Sequence, residues 1–242
     1  IEMENKITIV FIHGYISDKN FSYLLTKPLA DFVEIKALDL PGHNGVSLGD
    51  IKDIFGFINV VNGFIKEDVN GKYIVCGYSF GGVIALEYHN NFFEDPNYLG
   101  CLVWASPVNG HLTIASRIMR IIFKFLIPEF VFDFIKSRKA VQKLLLKIGI
   151  NIKFSKKQEL IIILDILEDY KFRLSKIAKK AVFIFHSWDS IISRENLKCI
   201  PEGNKVFIVN NLNHLPNKKC IRDVCNIIKN EFILNIGAKE VI

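Results

Sequence analysis

The junction between a predicted strand and a predicted helix at residues 72–87 constrains this fold more than any other part of the sequence. The apolar residues 73–76 run into 77–82, which have the pattern Gly-x-Ser-x-Gly-Gly, and helix-forming residues follow with no loop between them. Because strand and helix must then pass close together, small residues are needed on both sides of the serine. The junction therefore predicts a nucleophile elbow with Ser79 at its apex.

Two interpretations of Ser79 follow from the motif. A helix that begins directly after the serine points its free N–H groups and the positive end of its dipole at the reacting centre, which would stabilise an acyl oxyanion. The alternative is a turn serine between glycines that caps the helix and has no chemical role. Because such a short motif also occurs by chance, the choice between these two interpretations depends on the rest of the sequence.

Strands and helices alternate along most of the remaining sequence. This alternation predicts a parallel sheet of about six strands flanked by helices, with right-handed crossovers and the ligand at the carboxyl ends of the strands. The predicted strands are 7–12, 33–38, 73–76, 99–105, 181–186 and 205–210, and the predicted helices are 21–31, 48–67, 80–90 and 217–232.

The alternation stops at 108–180, where the sequence has helical periodicity and no clear strand. We predict a helical lid there, inserted between a first part of the core at 1–107 and a second part at 181–242. Residues 108–157 contain eleven Lys and Arg but two acidic residues. A membrane span is excluded by charges and Pro128 within the apolar run, whereas weak contact with a membrane surface stays open. We favour a lid whose apolar face covers the pocket while its lysines face water.

Two further residues follow predicted strands in the order expected of a catalytic triad. Asp189 lies on the loop after 181–186, where it would orient a base, and its competitor Asp165 lies within the helical insertion. His214 lies between the last strand and the last helix. The order serine, aspartate, histidine predicts Ser79 as nucleophile, His214 as base and Asp189 as the residue that orients it.

The pocket is predicted from residues that follow the strands. Gly14 comes after the first strand, where a glycine lets the backbone approach a substrate. We predict that the backbone N–H groups of Tyr15 and Phe80 donate the hydrogen bonds that bind the oxyanion. His186 and Trp188, at the end of the strand before Asp189, are predicted to line the substrate pocket.

Composition limits the partners and the compartment. The net charge of +6 comes without any nucleic-acid-binding motif, so a nucleic-acid partner is excluded. Five cysteines with no Cys-x-x-Cys spacing predict free thiols in a reducing compartment, and no secretory leader is visible, so we expect a cytoplasmic protein. The oligomeric state is left open.

Together these motifs identify a resemblance to the α/β-hydrolase superfamily across 7–232. It rests on His13-Gly14, on 39–43 (Asp-Leu-Pro-Gly-His), on the elbow, on Asp189 and on Asn213-His214. The resemblance implies a serine hydrolase without metal or organic cofactor, and the lack of room before Ile7 implies a sheet reduced to six strands. With an apolar lid, we expect an esterase for small or medium lipophilic acyl groups. Thioester hydrolysis, acyl transfer, C–C bond hydrolysis and non-catalytic ligand binding remain alternatives.

Overall fold

The computed structural model describes residues 6–147, 149–170 and 180–234 of the 242-residue chain. Its core is one sheet of six parallel strands in the order β2-β1-β3-β4-β5-β6, which confirms the predicted fold class. The strands are β1 (Thr8–Ile12), β2 (Glu34–Leu38), β3 (Tyr73–Tyr78), β4 (Tyr98–Trp104), β5 (Lys180–His186) and β6 (Lys205–Val209).

Eight α-helices are present among the described residues. They are α1 (Lys19–Thr26), α2 (Ile54–Asp68), α3 (Phe80–Phe92), α4 (Ile114–Ile121), α5 (Glu129–Ser137), α6 (Lys139–Lys147), α7 (Lys157–Asp169) and α8 (Lys218–Ile228). A 3₁₀ turn at Lys27–Leu29 extends α1, and π-helical turns at Ile122–Leu126 and Lys229–Leu234 extend α4 and α8.

Helices cover both faces of the sheet, as the continuous apolar strands require. All residues of β1 and β3 are buried, so neither face of these strands meets water. On one face Val10 and Val75 pack in a cluster with residues of α2 and α3. On the other face Phe11 and Ile74 pack in a cluster with residues of α1 and α8. Strand β4 pairs with both β3 and β5, so the carboxyl ends of these two strands are held in a fixed relation.

The helix predicted to begin near residue 48 begins at Ile54 instead. Leu48 is buried, but it contributes to the core from a loop rather than from a helical turn. Asp53 ends this loop as the N-cap of α2, and its carboxylate accepts a hydrogen bond of 3.0 Å from the N–H of Gly56. The apolar spacing of Leu48 therefore extended the predicted helix too far, because the capping residue Asp53 marks the true start of α2.

The described residues between β4 and β5 form four helices, α4 to α7. Within 108–170 the only strand-like pairing among the described residues is an isolated bridge between Leu112 and Ile192. Leu160 and Ile163 of α7 are completely buried, so this helix belongs to the packed interior. The end of the predicted lid, at 171–179, lies outside the described residues, and the role as a lid stays a prediction.

None of the helices in the described ranges is both long enough and apolar enough to cross a bilayer.

Candidate active site

Ser79 lies at the turn between β3 and α3 with a backbone conformation that L-residues rarely adopt. Its φ is +55° and its ψ is −119°. The flanking glycines explain how the chain reaches this conformation, because a Cβ at Gly77 would lie 2.0 Å from the carbonyl oxygen of Gly81. A Cβ at Gly81 would lie 2.2 Å from the carbonyl oxygen of Ile12. Main chain therefore packs directly on main chain on both sides of the serine.

Three side chains from distant parts of the sequence form one hydrogen-bonded series at this turn. The Oγ of Ser79 lies 2.9 Å from Nε2 of His214. The Nδ1 of His214 lies 2.9 Å and 3.1 Å from the two carboxylate oxygens of Asp189. In this arrangement Nδ1–H donates to the carboxylate, which leaves Nε2 unprotonated and able to accept the serine proton.

The carboxylate of Asp189 is fixed by its own loop. Its Oδ1 accepts hydrogen bonds from the N–H of Ile191 at 2.8 Å and of Ile192 at 2.9 Å. Burial alone would raise the pKa of Asp189, but the hydrogen bond and charge of His214, together with the two backbone N–H groups, hold this pKa below its usual value of 3.8. Asp189 is therefore ionised at neutral pH and accepts the hydrogen bond from Nδ1–H of His214.

Two residues to which the sequence analysis assigned no role hold His214 in place. The hydroxyl of Tyr78 donates to the carbonyl oxygen of His214 at 2.6 Å, and the two rings lie 5.2 Å apart between centroids. The side-chain oxygen of Asn213 accepts from the N–H of His214 and from the hydroxyl of Ser190, each at 2.8 Å. Tyr78 is the variable residue before the motif serine, so the motif carries no signal for this role.

Asp165, the competing acid, lies elsewhere. It is on α7, and its carboxylate forms an ion pair with Lys124. Among the described hydrogen bonds and ion pairs of His214, the carboxylate partner is Asp189.

A cavity of about 350 Å³ opens beside Ser79 and His214. Most of its wall is apolar, and the predicted insertion supplies part of it. The insertion contributes Leu112, Ser116, Met119, Arg120, Phe123, Gly149, Ile150, Leu164 and Leu167. The guanidinium of Arg120 pairs with Glu168, so its charge is already compensated within the protein.

Gly14, Tyr15 and Phe80 line the same cavity as Ser79. A Cβ at Gly14 would lie 3.1 Å from Cβ of Ser79, so the main chain of this loop passes close to the serine. The hydroxyl of Tyr15 donates to the carbonyl oxygen of Leu160 at 3.0 Å, which ties the loop to α7. That the N–H groups of Tyr15 and Phe80 bind an oxyanion remains a prediction.

His186 and Trp188 do not line the cavity in the described part of the chain, which corrects their predicted placement. His186 is buried behind the site, where its Nε2 accepts from the indole N–H of Trp104 at 2.9 Å and its Nδ1 donates to the carbonyl oxygen of Asn213 at 2.8 Å. Burial lowers the pKa of His186 to about 4, so the ring is neutral. Trp188 points outward and is 66% exposed. His186 thus packs against the loop that carries His214.

No group of three or more His, Cys, Asp or Glu side chains within the described ranges is arranged to hold a metal ion.

Comparison with known proteins places this chain in the alpha/beta hydrolase family. The model of the alpha/beta hydrolase family matches residues 9–157, which is more than half of the chain. A Haemophilus influenzae protein named "Putative 2-succinyl-6-hydroxy-2,4-cyclohexadiene-1-carboxylate synthase" is 37% identical over 83 residues. That match covers 34% of this chain and 33% of the relative, so it spans about a third of the curated protein.

Several solved structures superimpose on nearly the whole of this chain. The enol-lactonase from Burkholderia xenovorans superimposes with a TM-score of 0.71 at 13% identity, over 95% of this chain and 92% of that one. An esterase from Exiguobacterium antarcticum gives a TM-score of 0.71 at 15% identity, over 93% and 91% of the two chains. At these identities the likeness concerns the fold.

Proposed function

Because the chain belongs to the α/β hydrolase family, we propose that it is a serine hydrolase that cleaves carboxylic esters of small or medium lipophilic acyl groups. The observation that carries the proposal is the hydrogen-bonded series from Ser79 through His214 to Asp189 at the edge of an apolar cavity. The five free cysteines favour a reducing compartment, and we propose the cytoplasm.

The first half of the proposed reaction forms an acyl-enzyme. As Oγ of Ser79 attacks the acyl carbon, His214 takes its proton, and the charge of Asp189 stabilises the imidazolium. The carbonyl oxygen becomes an oxyanion, which the N–H groups of Tyr15 and Phe80 would bind, at about 3 kcal/mol of barrier for each donor. His214 then protonates the leaving alkoxide, and the alcohol departs.

In the second half of the reaction, a water molecule hydrolyses the acyl-enzyme. His214 removes a proton from a water molecule, whose oxygen attacks the acyl carbon and forms a second oxyanion. Collapse of this intermediate breaks the bond to Oγ of Ser79, which regains its proton from His214 while the carboxylic acid leaves. Apart from the ester and the water molecule, the groups used in both halves belong to the chain.

The preference for lipophilic acyl groups is supported by the cavity walls. Phe123, Leu164 and Leu167 face the space beside the serine, and burial of one CH₂ group against such side chains contributes about 0.8 kcal/mol. The volume of about 350 Å³ suits a small or medium acyl chain rather than a polymer.

Labelling with a fluorophosphonate, followed by mapping of the modified peptide, tests the nucleophile. We expect phosphonylation of Ser79 in the unmodified protein and none in Ser79→Ala, which should also lose turnover of p-nitrophenyl esters. A series of acyl chain lengths on the same p-nitrophenol leaving group then tests the cavity. Labelling at another residue, or equal turnover by Ser79→Ala, would reject the proposal.

The acid is tested with a matched pair of substitutions. Asp189→Asn should lower ester turnover by about 10⁴-fold, since the asparagine favours the wrong imidazole tautomer. Asp165→Asn makes the same chemical change on α7, where the carboxylate pairs with Lys124, and should leave turnover nearly unchanged. The reverse result would show that Asp165 orients the base.

A further inference from the structure

Helix α4 exposes apolar side chains that do not line the cavity. The helix contributes Ser116, Met119 and Arg120 to the wall of the cavity, and the π-helical turn that follows contributes Phe123. Its outer face exposes Ile114, Ile118 and Ile121, whose spacing of four and three residues places them on one side of the helix. Ile114 is 77% exposed. Apolar side chains of the insertion therefore face outward beside the lysines that were expected there.

The neighbouring helix α5 continues the pattern. Phe130 and Phe134 lie one turn apart on it, and both are exposed, Phe130 to 73%. The rings of Phe123 and Phe132 pack at 6.0 Å, which joins α5 to the segment after α4. Of the 24 exposed large hydrophobic side chains in the described part of the chain, eleven lie between 114 and 154. So dense a group differs from the isolated apolar residues that any protein surface carries.

The same segment exposes positive charge. Lys139, Lys143 and Lys147 occupy every fourth position of α6, and all three are exposed. Arg117 is exposed beside the isoleucines of α4. Among the described residues none of these four cations has a carboxylate within ion-pair distance.

Cations and aromatic rings also lie side by side on this surface. The guanidinium of Arg138 lies 4.1 Å from the ring centre of Phe134, and Nζ of Lys153 lies 4.7 Å from that of Phe154. In these pairs the charged group lies over an aromatic face, so positive charge and apolar surface are presented at the same place, as on the surface of proteins that lie at the boundary between hydrocarbon and headgroups.

We propose that this surface, formed by the exposed apolar and basic side chains of 114–154, binds an anionic lipid membrane. An anionic bilayer offers both partners at once, with acyl chains for the isoleucines and phenylalanines and headgroups for the lysines. A second copy of this chain fits worse, because residues 108–157 carry nine more basic than acidic residues and two such surfaces would repel each other. The proposal is independent of the ester hydrolase function, since it concerns the outer face of the insertion.

Sedimentation with vesicles tests the proposal on the full chain. We expect the protein to sediment with phosphatidylglycerol vesicles at low salt and to stay in the supernatant with phosphatidylcholine vesicles. Raising the salt to about 1 M, where the Debye length is about 3 Å, should weaken the binding. No sedimentation with phosphatidylglycerol at low salt would overturn the proposal.

Two matched pairs of variants locate the contact. The triple variant Lys139→Gln, Lys143→Gln, Lys147→Gln should weaken vesicle binding by about fivefold for each charge removed. The control Lys27→Gln, Lys66→Gln, Lys218→Gln removes three exposed charges outside the insertion and should have little effect. Likewise Phe130→Ser should weaken binding, whereas Phe55→Ser on α2 should not.

Circular dichroism and melting temperature should be unchanged in all four variants, since every replaced side chain is exposed. Equal losses in the insertion and control variants would overturn the assignment to this surface. If light scattering showed an oligomer that only the insertion variants dissociate, the surface would be an interface with a second copy, and the membrane proposal would fail.

Discussion

Replacement of Ser79 by glycine should give a more stable protein than replacement by alanine, the reverse of the usual ranking of these residues. The reason is the backbone of Ser79, at φ +55° and ψ −119°. An L-residue held in such a conformation costs about 1–3 kcal/mol, whereas glycine adopts it without a steric penalty.

The magnitude comes from a comparison in which other changes cancel. Both variants lose the hydrogen bond between Ser79 and His214, so this loss does not affect their difference. Glycine loses more chain entropy on folding than alanine, which costs about 0.5–1 kcal/mol. The remaining difference is about 1 kcal/mol in favour of Ser79→Gly, or about 2–4 °C in Tm for a chain of this size.

Thermal unfolding followed by circular dichroism measures this difference without any substrate. Ala115→Gly serves as the control, because Ala115 is exposed on α4, where glycine should lower the unfolding free energy by about 0.5–1 kcal/mol. A Tm of Ser79→Gly below that of Ser79→Ala, by the margin seen for Ala115→Gly, would refute strain at the serine.

Two further predictions concern the fold. Gly77→Ala should lower the unfolding free energy by roughly 3 kcal/mol or more, measured by denaturant unfolding, because its Cβ would overlap a main-chain oxygen. Gly63→Ala on α2 has open space at Cβ and should raise it by about 0.5–1 kcal/mol. Burial lowers the pKa of His13 and His186 to about 4 and of His43 to about 3, so the unfolded chain binds protons below pH 6.5 before the folded one does. The unfolding free energy should therefore fall as the pH drops from about 6.5 to about 4, as followed by tryptophan fluorescence.

A normal melting curve for Gly77→Ala would contradict the close packing at the elbow. An unfolding free energy that stays constant from neutral pH to about 4.5 would mean that the three imidazoles bind protons equally in both states.

The sheet could be predicted because each strand has a recognisable pattern in its own short stretch of sequence. Runs of β-branched and aromatic residues such as 7–12 indicate strands buried on both faces, and their alternation with helices determines that they are parallel. Strand direction then brings loops that follow β3, β5 and β6 to one edge. The approach of Ser79, Asp189 and His214 could therefore be anticipated from their positions after strands.

The sequence could not show whether a side chain in a loop or at the end of a strand faces the cavity, the protein interior or the solvent. His186 and Trp188 follow the same strand as Asp189, yet one is buried against Trp104 and the other points outward. The support of His214 by Tyr78 depends on a contact across 136 positions of sequence, for which no local pattern exists. The exposed isoleucines of α4 raised the same difficulty, since periodicity identifies an apolar face but not whether another element covers it.

The glycines of the elbow differ in whether a second mutation could compensate for their replacement by alanine. A methyl group at Gly77 or Gly81 would meet carbonyl oxygens, and no side-chain replacement elsewhere removes a carbonyl. At Gly82 the two nearest atoms belong to a side chain instead, with Cβ of Ser106 at 2.6 Å and its Oγ at 2.8 Å, while the carbonyl oxygen of Gly77 follows at 3.2 Å, where a shift of a few tenths of an ångström suffices. Alanine at 82 could thus become tolerable in a lineage that already carries glycine at 106, whereas the other two positions have no such genetic route.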